Sequence, residues 1–175
     1  MLEITEPRIF WTRAVDDGKD DWTIFGSSQE FMVNVPCIRT EPLEQVFWPD
    51  HHIDILVMTS KTCLRIAMAS EFGRQTISQS NTIVSFGKKT SMAIEASGYQ
   101  VLIPENVHSA EELSTWLTGW AKPDSVIRVL GPEHPAYPMA ESLQAKGLDA
   151  RNIPIYRTIN VVPKSVVFSR EYREV

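Results

Sequence analysis

Ile53-Asp54-Ile55-Leu56-Val57-Met58-Thr59-Ser60-Lys61-Thr62 is a short apolar run that gives way abruptly to hydroxyls and a lysine. The run predicts a strand over 53–58, and the residues after it predict a helix over 61–72. Outward in both directions the alternation recurs. Strands are predicted over 8–12, 31–39, 82–86, 99–103, 126–130 and 150–159, and helices over 89–97, 110–120 and 135–146. From 53 to 130 the order is strand, helix, strand, helix, strand, helix, strand. That order argues for an α/β fold, a parallel sheet flanked by helices.

Helix ends carry their own signals. Gly98 and Gly147 stand just past two predicted helices, where a left-handed residue is easiest for glycine. Ser109-Ala110-Glu111-Glu112 is a capping box ahead of Leu113, Trp116, Leu117 and Trp120, an apolar stripe at helical spacing that reads as core. Stacking of the two tryptophans on an aromatic ligand is the alternative.

At 175 residues and 43% hydrophobic, the chain suits one domain with a real core, or one domain plus a fragment of another. A net charge of -5 argues against general nucleic-acid binding, which rests on clustered Lys and Arg. It leaves room for a small anionic ligand, which feels local fields. Apolar stretches of about five to seven residues fall well short of the roughly 20 that span a bilayer, so no membrane partner is expected. Met1-Leu2-Glu3-Ile4-Thr5-Glu6 lacks the order of a signal peptide, and a cytoplasmic address is the expectation.

Cys37 and Cys63 lie outside any C-x-x-C pair and are expected to be buried free thiols. His51-His52 reads as a pair of exposed loop histidines rather than a metal site. Asp16-Asp17-Gly18-Lys19-Asp20-Asp21 lacks the closing glutamate of a calcium loop and reads as a solvated turn. The stretch 22–25 adds a short strand or helix.

Polar chemistry collects where strands meet helices. Thr59-Ser60-Lys61-Thr62, Gly87-Lys88-Lys89-Thr90 and Gly131-Pro132-Glu133-His134 each follow a predicted strand. Ligands of open parallel sheets bind at such junctions, beside helix N-termini whose unpaired N–H groups favour anions. The alternative at each junction is a cap for its own helix. Tyr156-Arg157-Thr158 adds a hydroxyl, a guanidinium and a second hydroxyl on the last predicted strand.

Taken in order, 54–60, 83–94, Gly98-Tyr99, Ile103-Pro104-Glu105, Ser109-Ala110-Glu111-Glu112-Leu113, Leu143-Gln144-Ala145-Lys146-Gly147 and Ile155-Tyr156-Arg157-Thr158 resemble uroporphyrinogen-III synthase. Thr12-Arg13 and the stretch 36–43 fall where that family has its first strand and its crossover between lobes.

The resemblance implies closure of the linear tetrapyrrole hydroxymethylbilane to uroporphyrinogen III, with inversion of the last pyrrole ring and loss of water. It implies no metal and no organic cofactor. It matches Tyr156 to the family's tyrosine, which would hydrogen-bond the departing hydroxyl. An unperturbed phenol titrates near pH 10 and is a proton donor at neutral pH. The alternative is a ring that packs at the hinge with its hydroxyl in solvent.

Thr59, Ser60 and Thr90 match cleft positions that would bind substrate carboxylates, with Lys61, Gly87, Lys88, Lys89 and Gly131 at the same junctions. Arg13 and Ser169 would face the substrate from the first lobe, although a structural ion pair also accounts for Arg13.

Departures from the family pattern are expected to matter. The stretch 42–150 reads as a complete α/β lobe, whereas 1–41 and 151–175 read as a reduced first lobe with the two crossover strands. Leu130 stands before Gly131 where the family tends to have arginine. A minimal enzyme, a site completed by two chains, and a non-catalytic anion- or tetrapyrrole-binding module of the same fold all accommodate such a lobe. An open sheet edge in a reduced lobe favours a partner strand, and a homodimer is expected. Sedimentation at micromolar concentration should report a dimer; a well-behaved monomer would count against it.

Overall fold

The computed structural model of the protein describes residues 9–12 and 32–161. The expectations for Arg13, for the stretches 16–21 and 22–25, and for Ser169 lie outside the described residues. The described residues fall into two compact units, those within Met1–Glu41 and Thr158–Val175 and those of Pro42–Arg157.

In the first unit, β1 (Ile9–Trp11) pairs in parallel with β2 (Met32–Asn34), Phe10 opposite Val33. The single strand expected over 31–39 is two, β2 and β3 (Ile38–Pro42), separated at Pro36, which has no N–H to give a ladder. Cys37, next to that break, is exposed rather than buried; its N–H donates to Thr12 O and its carbonyl accepts from Val161 N.

The second unit is built on a parallel sheet. Its elements run β4 (Ile53–Met58), α1 (Lys61–Ala69), α2 (Glu71–Gln79), β5 (Ser80–Val84), α3 (Lys88–Ala96), α4 (Ala110–Trp120), β6 (Val126–Pro132), α5 (Met139–Gln144) and β7 (Asp149–Asn160). The strand order is β3-β7-β6-β4-β5, and β4 pairs in parallel with both β5 and β6, as β6 does with β7. The segment expected as a strand over 99–103 contributes only a bridge, Leu102 to Val84, beside β5. Pro104, two residues on, has no N–H with which to extend the pairing.

Side chains of β4 alternate between two cores. Leu56 and Met58 join Cys63, Leu64, Ile66, Ile77 and Ile94 from α1, α2 and α3. Ile55 and Val57 join Leu113, Leu117, Met139 and Leu143 from α4 and α5. A strand covered on both faces carries no polar alternation, and for this reason it reads as one apolar run.

The helix expected over 61–72 is two helices. Ser70 ends α1 in an extended conformation (φ −104°, ψ 141°), and its Oγ accepts from Gly73 N at 3.4 Å to start α2. A Cβ on Gly73 would overlap the Ala67 carbonyl oxygen, so only glycine lets α2 pass this close to α1. Gly98 and Gly147 have the expected positive φ, 87° and 85°. Ser109 Oγ accepts from Glu112 N as expected, while Glu112 Oε2 reaches His108 N rather than that of the cap. Of the stripe on α4, Leu113 and Leu117 are buried, but Trp120 is exposed and stacks on Trp116 with ring centroids 4.8 Å apart.

At the N-terminal edge of the sheet, Arg128 is buried among polar partners. Its guanidinium donates to Ile127 O (2.8 Å) and to Asp149 (3.3 Å), and lies 2.8 Å from His51 Nε2. Beside it Asp54 accepts from Val126 N (2.9 Å), with His52 and Asn81 at 3.1 and 3.2 Å. The Val126 N–H is the main cause holding the Asp54 carboxyl below its usual range, against a smaller opposing effect of burial.

Two outcomes follow from these contacts. Gly73→Ala should destabilise the fold by on the order of 2 kcal/mol despite alanine's better helix propensity, seen as a lower urea midpoint. Folding depresses the Asp54 pKa, so its stabilisation is complete above the unfolded carboxylate value and is lost as pH falls through the folded one. The gap in urea midpoint between the wild type and Asp54→Asn should therefore close as pH drops below about 4.

Candidate active site

Sheet order reverses between β4 and β6: the chain leaves β4 toward β5 on one side and returns to β6 on the other. Helices therefore diverge there onto opposite faces, and the C-terminal ends of β4 and β6 stand at the topological position where parallel sheets bind ligands in a crevice. Thr59, Ser60 and Lys61 leave β4 at this point, all half-buried. Gly131 and Pro132 end β6, with a register shift between them, and Pro132 lies opposite Tyr156 on β7. Glu133 N donates to Tyr156 O at 2.7 Å and fixes the backbone of that tyrosine against the β6 exit.

The junction is tied together by a thiol. Ser60, the N-cap of α1 (φ −148°, ψ 152°), accepts from Cys63 N at 3.2 Å and donates its hydroxyl to Cys63 Sγ at 3.1 Å. Cys63 Sγ in turn donates to Leu130 O at 3.2 Å. Tyr156 packs into the same core as Cys63. Burial pushes the Cys63 thiol up, more than the Ser60 and Tyr156 hydrogen bonds draw it down, so it is a protonated thiol at neutral pH.

Of the residues expected in the site, Ser60 follows β4 and Tyr156 lies on β7 opposite Pro132, with Thr59, Lys61 and Gly131 beside these positions in sequence. Gly87, Lys88, Lys89 and Thr90 begin α3, which follows β5 on the same edge of the sheet one strand beyond β4. Gly87 holds φ 83° and its carbonyl accepts from Thr90 N and Ser91 N; Lys88 and Lys89 are exposed, while Thr90 is buried. Arg157 and Thr158 are exposed on β7. Cys63 was not legible as a site residue, although its place three residues after a capping serine was.

Charge on this edge is asymmetric. The first turns of α1 and α3 contain no acidic residue, and Lys61, Lys88 and Lys89 stand in them. By contrast α2 carries Glu71, and α4 carries Glu111 and Glu112, in the first turn. The positive ends of the α1 and α3 dipoles are therefore left uncompensated by carboxylates of their own, which suits a carboxylated ligand. A groove of about 760 Å³ lined by Val46, Phe47, Trp48, Arg65 and Phe72, among others, contains none of the expected site residues. Among the described residues, no three His, Cys, Asp or Glu side chains are grouped to hold a metal ion. No helix among them is long and apolar enough to cross a membrane.

The family model of uroporphyrinogen-III synthase HemD matches residues 28–173, most of the chain. The chain belongs to the uroporphyrinogen-III synthase family. Uroporphyrinogen-III synthetase from Helicobacter pylori 26695 has a similar structure, with TM-score 0.52 and 14% identity over 75% of this chain and 57% of that one. A mutant uroporphyrinogen III synthase from the extremely thermophilic bacterium Thermus thermophilus gives TM-score 0.51 and 14% identity, over 82% and 61%. At that identity the likeness shows the α/β fold. The chain spans less than two thirds of either solved structure. No curated protein matches its sequence. Within the family match lie Tyr156, Ser60, Cys63 and Gly131, whereas Arg13 precedes it.

Proposed function

We propose that the crevice at the ends of β4, β6 and β7 closes hydroxymethylbilane to uroporphyrinogen III, a step of tetrapyrrole biosynthesis. The observation that carries the proposal is the position of Tyr156 on β7, opposite the exit of β6 and beside the point where the sheet order reverses, in a chain of this family.

The substrate's carboxylates are received by the hydroxyls of Thr59 and Ser60, by the α1 and α3 N-termini, and by Lys61, Lys88 and Lys89. Gly87, Thr90 and Gly131 shape the same rim. Arg13 and Ser169, outside the described residues, are assigned to the substrate from the reduced lobe of 1–41 and 151–175. Tyr156 hydrogen-bonds the terminal hydroxyl, which leaves with a proton as water and generates a cationic azafulvene. The last ring is held so that attack yields the spiro intermediate and then the inverted isomer. Catalysis rests mainly on orientation, since the folded substrate must be kept from closing without inversion.

A coupled assay that generates hydroxymethylbilane in situ, with product isomers separated, should yield the type III isomer. The type I isomer alone, the product of uncatalysed closure, would overturn the enzyme and leave a binding module of the same fold. Tyr156→Phe should lower the rate of type III formation by about tenfold or more, the range of one positioned proton donor or a strong hydrogen bond. An unchanged rate would remove the phenol from the chemistry while leaving the assignment of the crevice intact.

A further inference from the structure

Three polar atoms meet where β4 and β5 begin, in an arrangement that hydrogen bonds alone leave unsatisfied. His52 Nε2 lies 3.1 Å from Asp54 Oδ1 and 2.9 Å from Asn81 Nδ2, and Asn81 Nδ2 lies 3.2 Å from Asp54 Oδ1. An amide NH₂ only donates and an ionised carboxylate only accepts, whereas one imidazole nitrogen does one or the other. If His52 Nε2 carries a proton, its N–H faces the N–H of Asn81; if it does not, its lone pair faces the carboxylate. Turning the Asn81 amide over sets its oxygen against the carboxylate instead. Every arrangement of protons on the ionised triad leaves one of the three contacts repulsive. A cation removes the conflict, because the imidazole lone pair, the carboxylate and the turned amide oxygen then all face it.

We infer that His52, Asp54 and Asn81 form one face of a binding site for a six-coordinate divalent ion of the first transition row, with water at its remaining positions. The spacing selects the geometry. Ligands about 2.1 Å from an ion stand about 3.0 Å apart on an octahedral face and about 3.4 Å apart in a tetrahedron. The three separations here, 2.9, 3.1 and 3.2 Å, fit the octahedral face. One imidazole beside two oxygen donors suits ions such as Ni²⁺, Fe²⁺ and Mn²⁺. The carboxylate is already aimed, since Asp54 Oδ2 accepts from Val126 N at 2.9 Å and Oδ1 is left toward His52 and Asn81. His52 and Asn81 are exposed and Asp54 is half-buried, so water reaches the open side. His51, next in sequence, is directed instead to Arg128 and Asp50.

The ion would join the start of β4 to the start of β5, the edge strand of the sheet, and through Asp54 to Val126 on β6. Its role is to staple that edge. The site lies at the opposite ends of the strands from the crevice and does not depend on the function proposed for it.

Calorimetric titration of the chelator-treated full chain with Ni²⁺ tests the inference. The wild type should bind one equivalent at this site, and Asn81→Ala and His52→Ala should each weaken binding by about tenfold or more, at least the cost of disturbing a ligand's support. His134→Ala should bind as the wild type does. Asn81→Asp separates an ion site from a hydrogen-bonded triad: a second carboxylate should tighten Ni²⁺ binding by about tenfold, while lowering the urea midpoint in chelator, where two like charges stand together. No saturable binding below about 1 mM, the weak end of protein sites for divalent ions, overturns the inference. So does an unchanged affinity in Asn81→Ala, or an Asn81→Asp chain that binds no tighter.

A measurement on the unaltered chain covers variants that fold poorly. Substoichiometric Mn²⁺ should broaden the backbone amide resonances of Asp54 and Asn81 before those of His108 and His134. Broadening centred on either of the latter places the ion elsewhere and overturns the site.

Discussion

Leu56 and Met58 pack into the core beneath α1 and α3 while Ile55 and Val57 pack into the core beneath α4 and α5, so β4 must lie inside the sheet with helices on both faces. This double burial is the constraint on which the rest of the second unit depends. β5, β6 and β7 can then be reached only through helical crossovers, which makes their pairing parallel and brings the ends of β4, β5, β6 and β7 to the same edge. Once β4 is central, β5 and β6 lie on opposite sides of it, and the order of the sheet reverses between them.

The two edges of the sheet solve opposite electrostatic problems. At the N-terminal edge the polar side chains largely satisfy one another: Arg128 is enclosed by Asp149, His51 and the Ile127 carbonyl, and Asp54 accepts the Val126 N–H. A buried guanidinium would be costly without such partners. At the C-terminal edge the first turns of α1 and α3 carry lysines and no acids. Those helix ends therefore carry a local positive field although the net charge of the chain is negative.

Much of the fold was legible because apolar runs and helix caps are local signals. β4 and α4 begin and end where the pattern placed them, and Ser109 caps as its spacing implies. Errors arose where a distant contact overrides the local signal. The helix break at Ser70 depends on α2 passing over the Ala67 carbonyl, which no pattern within 61–72 encodes. Trp120 fits the apolar stripe on α4 but stacks on Trp116 at the exposed end of the helix. Cys37 and Cys63 have similarly apolar neighbours in sequence, yet one is exposed beside Pro36 and the other is enclosed by α1, β6 and β7.

The sequence by itself determined the α/β class, the family resemblance and the prominence of Tyr156, because strand and helix periodicity and motif order are properties of neighbours along the chain. Only the tertiary structure decided that Ser60 and Leu130 meet at the sulfur of Cys63, beside the strand that carries Tyr156. Those groups belong to separate elements, and they come together because parallel pairing of β4, β6 and β7 sets their ends side by side. Which thiol would be enclosed depended on that convergence, and no local pattern carries it.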